Sequence, residues 1–252
     1  MHIRTVIKRN GKSEEFDAAK LNKWAAWAAD LCVDWSSIAL EAYRKCVDKC
    51  STDDLHTAMI SACVDKETEE HLIMAGKLFI GKVYKEAFGG AEFIPTVKDM
   101  YTRMVAEGLW APMDYTDEEF EKMQAIIKHR RDETASYSET KQICDKYAIF
   151  DRVDKIFKET PQFVYMRMAM QLSEHRFKKS RMKDVEKFYN YLSMKKINPP
   201  SPNLINLGTP KKQYASCCVI TTDDSAASLA AADHIAYMMT CASAGIGHHI
   251  KS

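Results

Sequence analysis

VIKRNGKSEEFDAAKL, residues 6–21, decides how the start of the chain folds. Asn10-Gly11 is a strong two-residue turn signal, because both central positions of such a turn must accept positive φ. Ile3 to Arg9 and Lys12 to Phe16 therefore read as the two arms of a hairpin. Asp17 follows where a helix needs an N-cap, and Leu21, Trp24, Ala25, Ala28 and Leu31 recur behind it at helical spacing. Further helices are expected from Ser37 to about Lys49, then after a cap at Thr52 or Asp53 with Leu55, Met59, Ile60 and Cys63 inward, then from near Glu67 to Phe88. Leu72, Ala75, Leu78, Phe79 and Val83 form the inner face of that last helix, and Gly89-Gly90 closes it. A hairpin with four helices is a unit of ordinary small-domain size.

Beyond residue 92 the pattern is helical and charged as far as about residue 197. TDEEFEKM offers Thr116 as a cap answered by Glu119. Met166, Met168 and Met170 read as core filler. Leu172 to Lys196 carries Arg176, Lys178, Lys179, Arg181 and Lys183, which read as a solvated helix face. NPPSPNLINLGTP, from Asn198, is a connector; Gln213 to Thr222 is a buried strand ended by Asp223-Asp224-Ser225. Ala226 to Ala242 is a helix with Leu229, Ile235 and Met238 on one side, and AGIG at 244–247 is a tight turn. A lone strand and helix cannot bury their own apolar faces, so the last fifty or so residues read as the beginning of a larger domain. The fold class is mainly α with some β.

The chain has 252 residues and a net charge of +1, which gives no general basis for binding DNA or a membrane surface. No apolar run approaches the ~20 residues of a membrane helix, and MHIRTVIKRNGKSEEF has no signal-peptide core. The expected compartment is the cytoplasm. The eight cysteines are then reduced thiols by default, with no CxxC pair and no metal site expected. Cys46 and Cys50 lie four apart and could share a helix face, where packing explains them better than a metal.

Lys8, Arg9, Lys20 and Lys85 would suit a triphosphate if they converged; the plain alternative is four separate surface cations. Cys217 lies on the strand beside Cys218, and adjacent strand residues point to opposite faces. If it does chemistry its partner must come from elsewhere; otherwise it is a buried thiol. Asp224-Ser225 could cap a helix or bind a ribose or base. His248-His249 is read as a tail without a site.

Taken together these motifs resemble a family. Residues 6–21 resemble the opening of an ATP-cone, the nucleotide-binding regulatory domain at the head of many ribonucleotide reductases. YTDEEFEKM, HRRD and SYSETKQICDKY resemble the helical region that follows in class I large subunits. SPNLINLGTPKKQYASCCVITTDDSAAS and SAGIG resemble the start of their catalytic barrel. The resemblance runs in order over nearly the whole chain and implies three parts: an ATP-cone at 1–91, a helical N-terminal region at 92–197, and an incomplete α/β barrel start at 198–252.

It also implies roles. Val6, Lys8, Arg9, Glu14 and Asp17 match allosteric ATP or dATP contacts, as do Lys20, Thr52, His56 and Lys85; Asp17 stands where many members carry Asn. Ser201, Ser216, Cys217, Ala244 and Gly245 match substrate-contacting positions. Cys217 matches one of two thiols oxidised to a disulfide as the ribose 2′-hydroxyl leaves. Asp224 and Ser225 match the site where a bound dNTP effector sets specificity, and the helix after them resembles the one pairing two large subunits. The implied activity is reduction of ribonucleoside diphosphates to deoxyribonucleotides, driven by thioredoxin or glutaredoxin, with a small radical-generating subunit holding the metal. The family's radical-forming cysteine, second redox thiol, C-terminal cysteines and radical-relay tyrosines have no match. HHIKS departs from the pattern after AGIG, which leads us to expect a split gene of viral type, acting in the host cytoplasm, with a C-terminal large-subunit polypeptide supplying the rest; a shortened chain is the alternative. The rival function is a non-catalytic nucleotide-binding regulatory fragment, and a third is a purely structural dimerisation piece.

Overall fold

A computed structural model describes residues 3–29, 33–241 and 244–251; Leu31, Cys32, Ala242 and Ser243 lie outside the described residues. The chain is mostly helical with a few short strands.

The hairpin forms from β1 (Thr5–Ile7) and β2 (Ser13–Glu15), antiparallel with Val6 opposite Glu14. Its turn differs from the expected one. Gly11 N–H donates to the Lys8 carbonyl at 2.8 Å, Lys8 N–H donates to the Lys12 carbonyl at 2.9 Å, and in this turn only Gly11 has positive φ, 77°. This is a three-residue loop ending in a left-handed glycine, which asks nothing unusual of Asn10. Asp17 does cap α1 (Ala18–Ala28), its Oδ1 accepting from Ala19 N–H at 2.8 Å.

Two boundaries move. α2 (Trp35–Lys45) stops at Cys46, and Lys49 turns the chain with φ of 64°, so Cys46 and Cys50 do not share a helix face. Ser51, rather than Thr52 or Asp53, caps α3 (Thr52–Val64), because Ser51 and Asp54 can satisfy each other's backbone N–H groups reciprocally. α4 (Glu69–Phe88) starts behind Thr68 and ends at left-handed Gly89. Ala25, Ile38, Ala42, Met59, Leu78 and Val83 form the core of this unit. Ile7 N–H donates to the Cys50 carbonyl at 3.0 Å, which sets the start of α3 beside the hairpin.

α4 also packs against the second half of the molecule. A Cβ added to Gly76 would lie 2.2 Å from the Ala135 carbonyl oxygen, so α4 touches the turn before α7 almost backbone to backbone. A 3₁₀ turn at Ala91–Phe93 leads to α5 (Val97–Ala106) and α6 (Asp117–Ile126), then a second at His129–Thr134 leads to α7 (Tyr137–Tyr147). The small hairpin β3 (Phe150–Asp151) and β4 (Ile156–Phe157) precedes α8 (Pro161–Ser173). Met166, Met168 and Met170 are buried on α8, as expected of filler. The basic stretch is not one helix face. It breaks into an exposed loop carrying Arg176, Lys178 and Lys179, followed by α9 (Arg181–Ser193). Arg181 is buried, its guanidinium forked onto both carboxylate oxygens of Glu119 on α6.

The proline-rich connector contains α10 (Ser201–Asn206). Buried Arg167 of α8 gathers the carbonyls of Leu204, Ile205 and Leu207 at the end of α10. Buried Glu159 holds Arg167 in turn, with Nε–Oε1 at 2.9 Å, while accepting from Trp110 Nε1–H at 3.0 Å and Ile149 N–H at 3.1 Å.

The last part is a strand–helix–strand unit: β5 (Cys217–Asp223), α11 (Ala226–Cys241) and β6 (Gly245–Lys251), with the strands parallel and Cys217 opposite Gly245. Four expectations change here. The strand begins at Cys217 rather than Gln213. AGIG is not a turn but the entry to β6, because a parallel neighbour needs a crossover and α11 already provides it. His248 and His249 sit in β6, and Thr222 Oγ1 lies 3.0 Å from His248 Nε2. Finally, β5 is largely exposed, with Val219 at 78%, and α11 turns Ala232 inward while Ile235 and Met238 face out. Two strands and one helix cover only part of a sheet's surface.

Candidate functional site

The hairpin, α1, the start of α3 and the end of α4 enclose a cleft of about 510 Å³. Val6, Lys8, Arg9, Glu14 and Asp17 line it from the hairpin and the cap of α1. Lys20 comes from the first turn of α1, Thr52 and His56 from α3, and Lys85 from α4. All nine residues that the resemblance links to ATP thus border one space, although they are spread over eighty positions of sequence. Trp24, Asp53, Leu55 and Met59 also line it and were missed. Trp24 was findable: it lies four residues after Lys20 and so shares its helix face.

The charges in the cleft are organised in pairs. Glu14 receives both Lys8 and Lys20. Asp53 receives Arg9 at 3.3 Å and Lys82 at 2.8 Å, and Arg9 also reaches Glu86 at 3.4 Å. Lys85 differs: its ammonium stands 5.6 Å from the centre of the Trp24 ring and forms no ion pair among the described residues. Burial pushes its pKa down, helped by the neighbouring cations Arg9 and Lys8. An anion entering beside Lys85 would relieve that repulsion.

His56 is buried, its Nε2–H donating to the Leu78 carbonyl at 2.7 Å. Burial drives its pKa down to about 4, so it is neutral near pH 7 and presents Nδ1 as an acceptor. Asp17 already uses Oδ1 to cap α1.

A second group of predicted residues meets where β5 and β6 begin. Gly245 N–H donates to the Ser216 carbonyl at 2.6 Å, Ser216 Oγ lies 3.7 Å from Cys217 Sγ, and Ala244 precedes Gly245. The strand register thus joins Ser216, Cys217, Ala244 and Gly245. Cys217 is exposed, contrary to the buried-thiol alternative. By contrast, burial pushes Cys46 up to about 11 and Cys63 up to about 12, which leaves them inert as nucleophiles. Ser201 stands apart in the first turn of α10, with Tyr147 Oη 3.1 Å from its Oγ. Asn206, at the other end of α10, donates to the Gln213 carbonyl and so ties this helix to the lead into β5. Ser225 Oγ accepts from Ser228 N–H at 3.2 Å, the capping role; Asp224 is exposed beside it.

A further cleft of about 620 Å³, unforeseen in the sequence, lies on the other side of Trp24 and Lys85, with Trp27, Tyr84, His129 and Arg130 in its wall. Among the described residues no helix is long and apolar enough to cross a membrane.

Fold and site together define a helical domain preceded in the chain by a charged cleft and followed by a thiol-bearing strand. Residues 134–212 match the family model described as the ribonucleotide reductase all-alpha domain. Over 250 residues, 96% of this chain, the sequence is 32% identical to the ribonucleoside-diphosphate reductase 1 subunit alpha of Escherichia coli (strain K12), covering 33% of it. It is 31% identical over 255 residues to the ribonucleoside-diphosphate reductase subunit alpha of Enterobacteria phage T4, covering 98% of this chain and 34% of that one. The Helicobacter pylori (strain ATCC 700392 / 26695) subunit alpha is 27% identical over 220 residues, 85% of this chain and 27% of that one. The chain is homologous to the N-terminal part of ribonucleoside-diphosphate reductase alpha subunits, and it spans about a third of the length of the curated relatives it matches.

Proposed function

We propose that this chain is the nucleotide-sensing N-terminal part of the catalytic alpha subunit of a ribonucleoside-diphosphate reductase. The observation that carries the reading is the single cleft lined by all nine residues that resemble ATP-cone contacts. Residues 1–91 act as the cone, binding ATP or dATP: Lys85 takes the phosphate end first, since it forms no ion pair among the described residues, and Trp24 and His56 also border the cleft. Residues 92–197 pack against α4 of the cone, and residues 198–252 begin the catalytic barrel.

In that barrel Cys217 is one of the two reductants. Polypeptide outside these 252 residues brings the second thiol and the radical-forming cysteine. As the substrate's 2′-hydroxyl leaves as water, the two thiols give up two electrons and join as a disulfide, which thioredoxin or glutaredoxin then reduces. Ser201, Ser216, Ala244 and Gly245 contact the ribonucleoside diphosphate, and Asp224 and Ser225 the dNTP effector. The small subunit generates the radical with its metal, and α11 pairs two large subunits.

Calorimetric titration of the chain with ATP tests the sensing role. Saturable one-site binding is expected. Lys85→Met should weaken it roughly tenfold or more, the cost of one charge-assisted phosphate contact. Absence of ATP binding, or binding indifferent to Lys85, overturns the reading.

A further inference from the structure

The cleft holds an anion of its own. Glu14 points from β2 between Lys8 of the hairpin loop and Lys20 of α1, and both ammonium groups bond to its carboxylate. Those two lysines come from different elements, and among the described residues the ion-pair partner common to them is Glu14. Its neighbours in the cleft behave otherwise. Glu15 makes no ion pair among the described residues, and Asp17 is turned to the backbone of α1. A carboxylate accepting from two lysines is geometrically what one phosphate group would be in the same place. The two hydrogen bonds hold the Glu14 carboxyl at about 2, Lys20 contributing more than Lys8. The same contact pushes the Lys20 ammonium up.

We propose that Glu14 is a built-in stand-in for a phosphate group, occupying Lys8 and Lys20 until a polyphosphate ligand displaces it. The inference rests on the reading of the cleft as a nucleotide site and adds to it a competition. Lys85 is open to the incoming ligand, whereas Lys8 and Lys20 become available only when Glu14 lets go. Glu14 therefore sets a threshold: a ligand must offer enough negative charge to replace it, which favours a triphosphate over weaker anions. Because the pairs are solvated, the threshold is modest, one or two surface ion pairs in size.

The test titrates the whole chain with inorganic tripolyphosphate at low ionic strength, a probe with no base or ribose to contact Glu14. Glu14→Gln keeps the shape and removes the competitor, and should tighten binding roughly three- to tenfold. Glu15→Gln removes the same charge from the same cleft without freeing a lysine, and should shift affinity less than about twofold. Glu14→Ala, checked for native helicity by circular dichroism, should tighten binding as Glu14→Gln does. A second readout is the Glu14 side-chain carboxyl carbon followed by NMR, whose titration near 2 in the free chain should move up toward the ordinary carboxylate range with tripolyphosphate bound. Wild-type binding that Glu14→Gln leaves unchanged or weakens, or that Glu15→Gln tightens equally, overturns the competition alone. A wild-type chain that takes up no tripolyphosphate removes the nucleotide-cleft reading, and the competition with it.

Discussion

Replacing Arg167 by Met should unseat α10 and cost roughly 3–5 kcal/mol of stability. Arg167 and Glu159 are both fully buried. Removing the guanidinium leaves the Glu159 carboxylate with only Trp110 Nε1–H and Ile149 N–H, two neutral donors for a buried charge. It also strips a shared donor from the carbonyls of Leu204, Ile205 and Leu207, leaving the end of α10 held by the packing of Leu204 and Leu207 in the core. The effects overlap, so the estimate is that of breaking a buried pair rather than a sum over bonds. Gly208 fixes the geometry from the other side: its φ is 78°, and a Cβ there would lie 2.4 Å from Arg167 Cγ. Urea unfolding followed by tryptophan fluorescence gives the stability, and Trp110 reports directly because its indole bonds to Glu159. The double variant Arg167→Met/Glu159→Gln removes the stranded charge and should recover more than half of the loss. A single-variant loss below about 1 kcal/mol, or a double variant no better than the single, refutes the claim that this pair anchors the helix bearing Ser201.

Gly76→Ala should destabilise the chain by roughly 2 kcal/mol or more, since its Cβ would lie 2.2 Å from a backbone carbonyl that cannot rotate away; equal urea midpoints would deny the close approach of α4 to residue 135. His56 gives a pH prediction. Its folded pKa is depressed to about 4, so between pH 6.5 and 4 the unfolded chain binds a proton that the folded chain refuses, and stability is lost as pH falls through that window. His56→Gln should remove on the order of 3 kcal/mol from the stability that the wild type loses across this range, whereas parallel pH profiles would mean that the imidazole is not held neutral.

Local signals are legible in the sequence. The Asp17 cap, Gly89 and the Thr116–Glu119 pair each act within a few residues, and each marks the boundary it advertises; Asn10-Gly11 marks the place of the hairpin turn but not its type. What escaped depends on distant partners. Nothing near Arg181 announces that Glu119, 62 positions away, will draw it out of a basic surface stretch and into the core. Arg167 looks like any helix cation until Glu159 and the end of α10 close around it. AGIG reads as a turn because glycines commonly make turns, yet here Gly245 and Gly247 lie in a strand whose identity is set by pairing with β5. The cleft was legible residue by residue only through resemblance; its ion pairs, and the second cleft beyond Trp24, come from packing that the linear order does not express.

Cys217 is proposed to be the redox thiol that this chain supplies to a reductase. Its most direct test is CDP reduction by the chain combined with polypeptide carrying the rest of an alpha subunit and with a small subunit, driven by thioredoxin. Turnover is expected, and Cys217→Ser should abolish it while the variant still assembles and still binds ATP. Full turnover by Cys217→Ser would contradict that role and leave Cys217 an exposed thiol without a part in the chemistry.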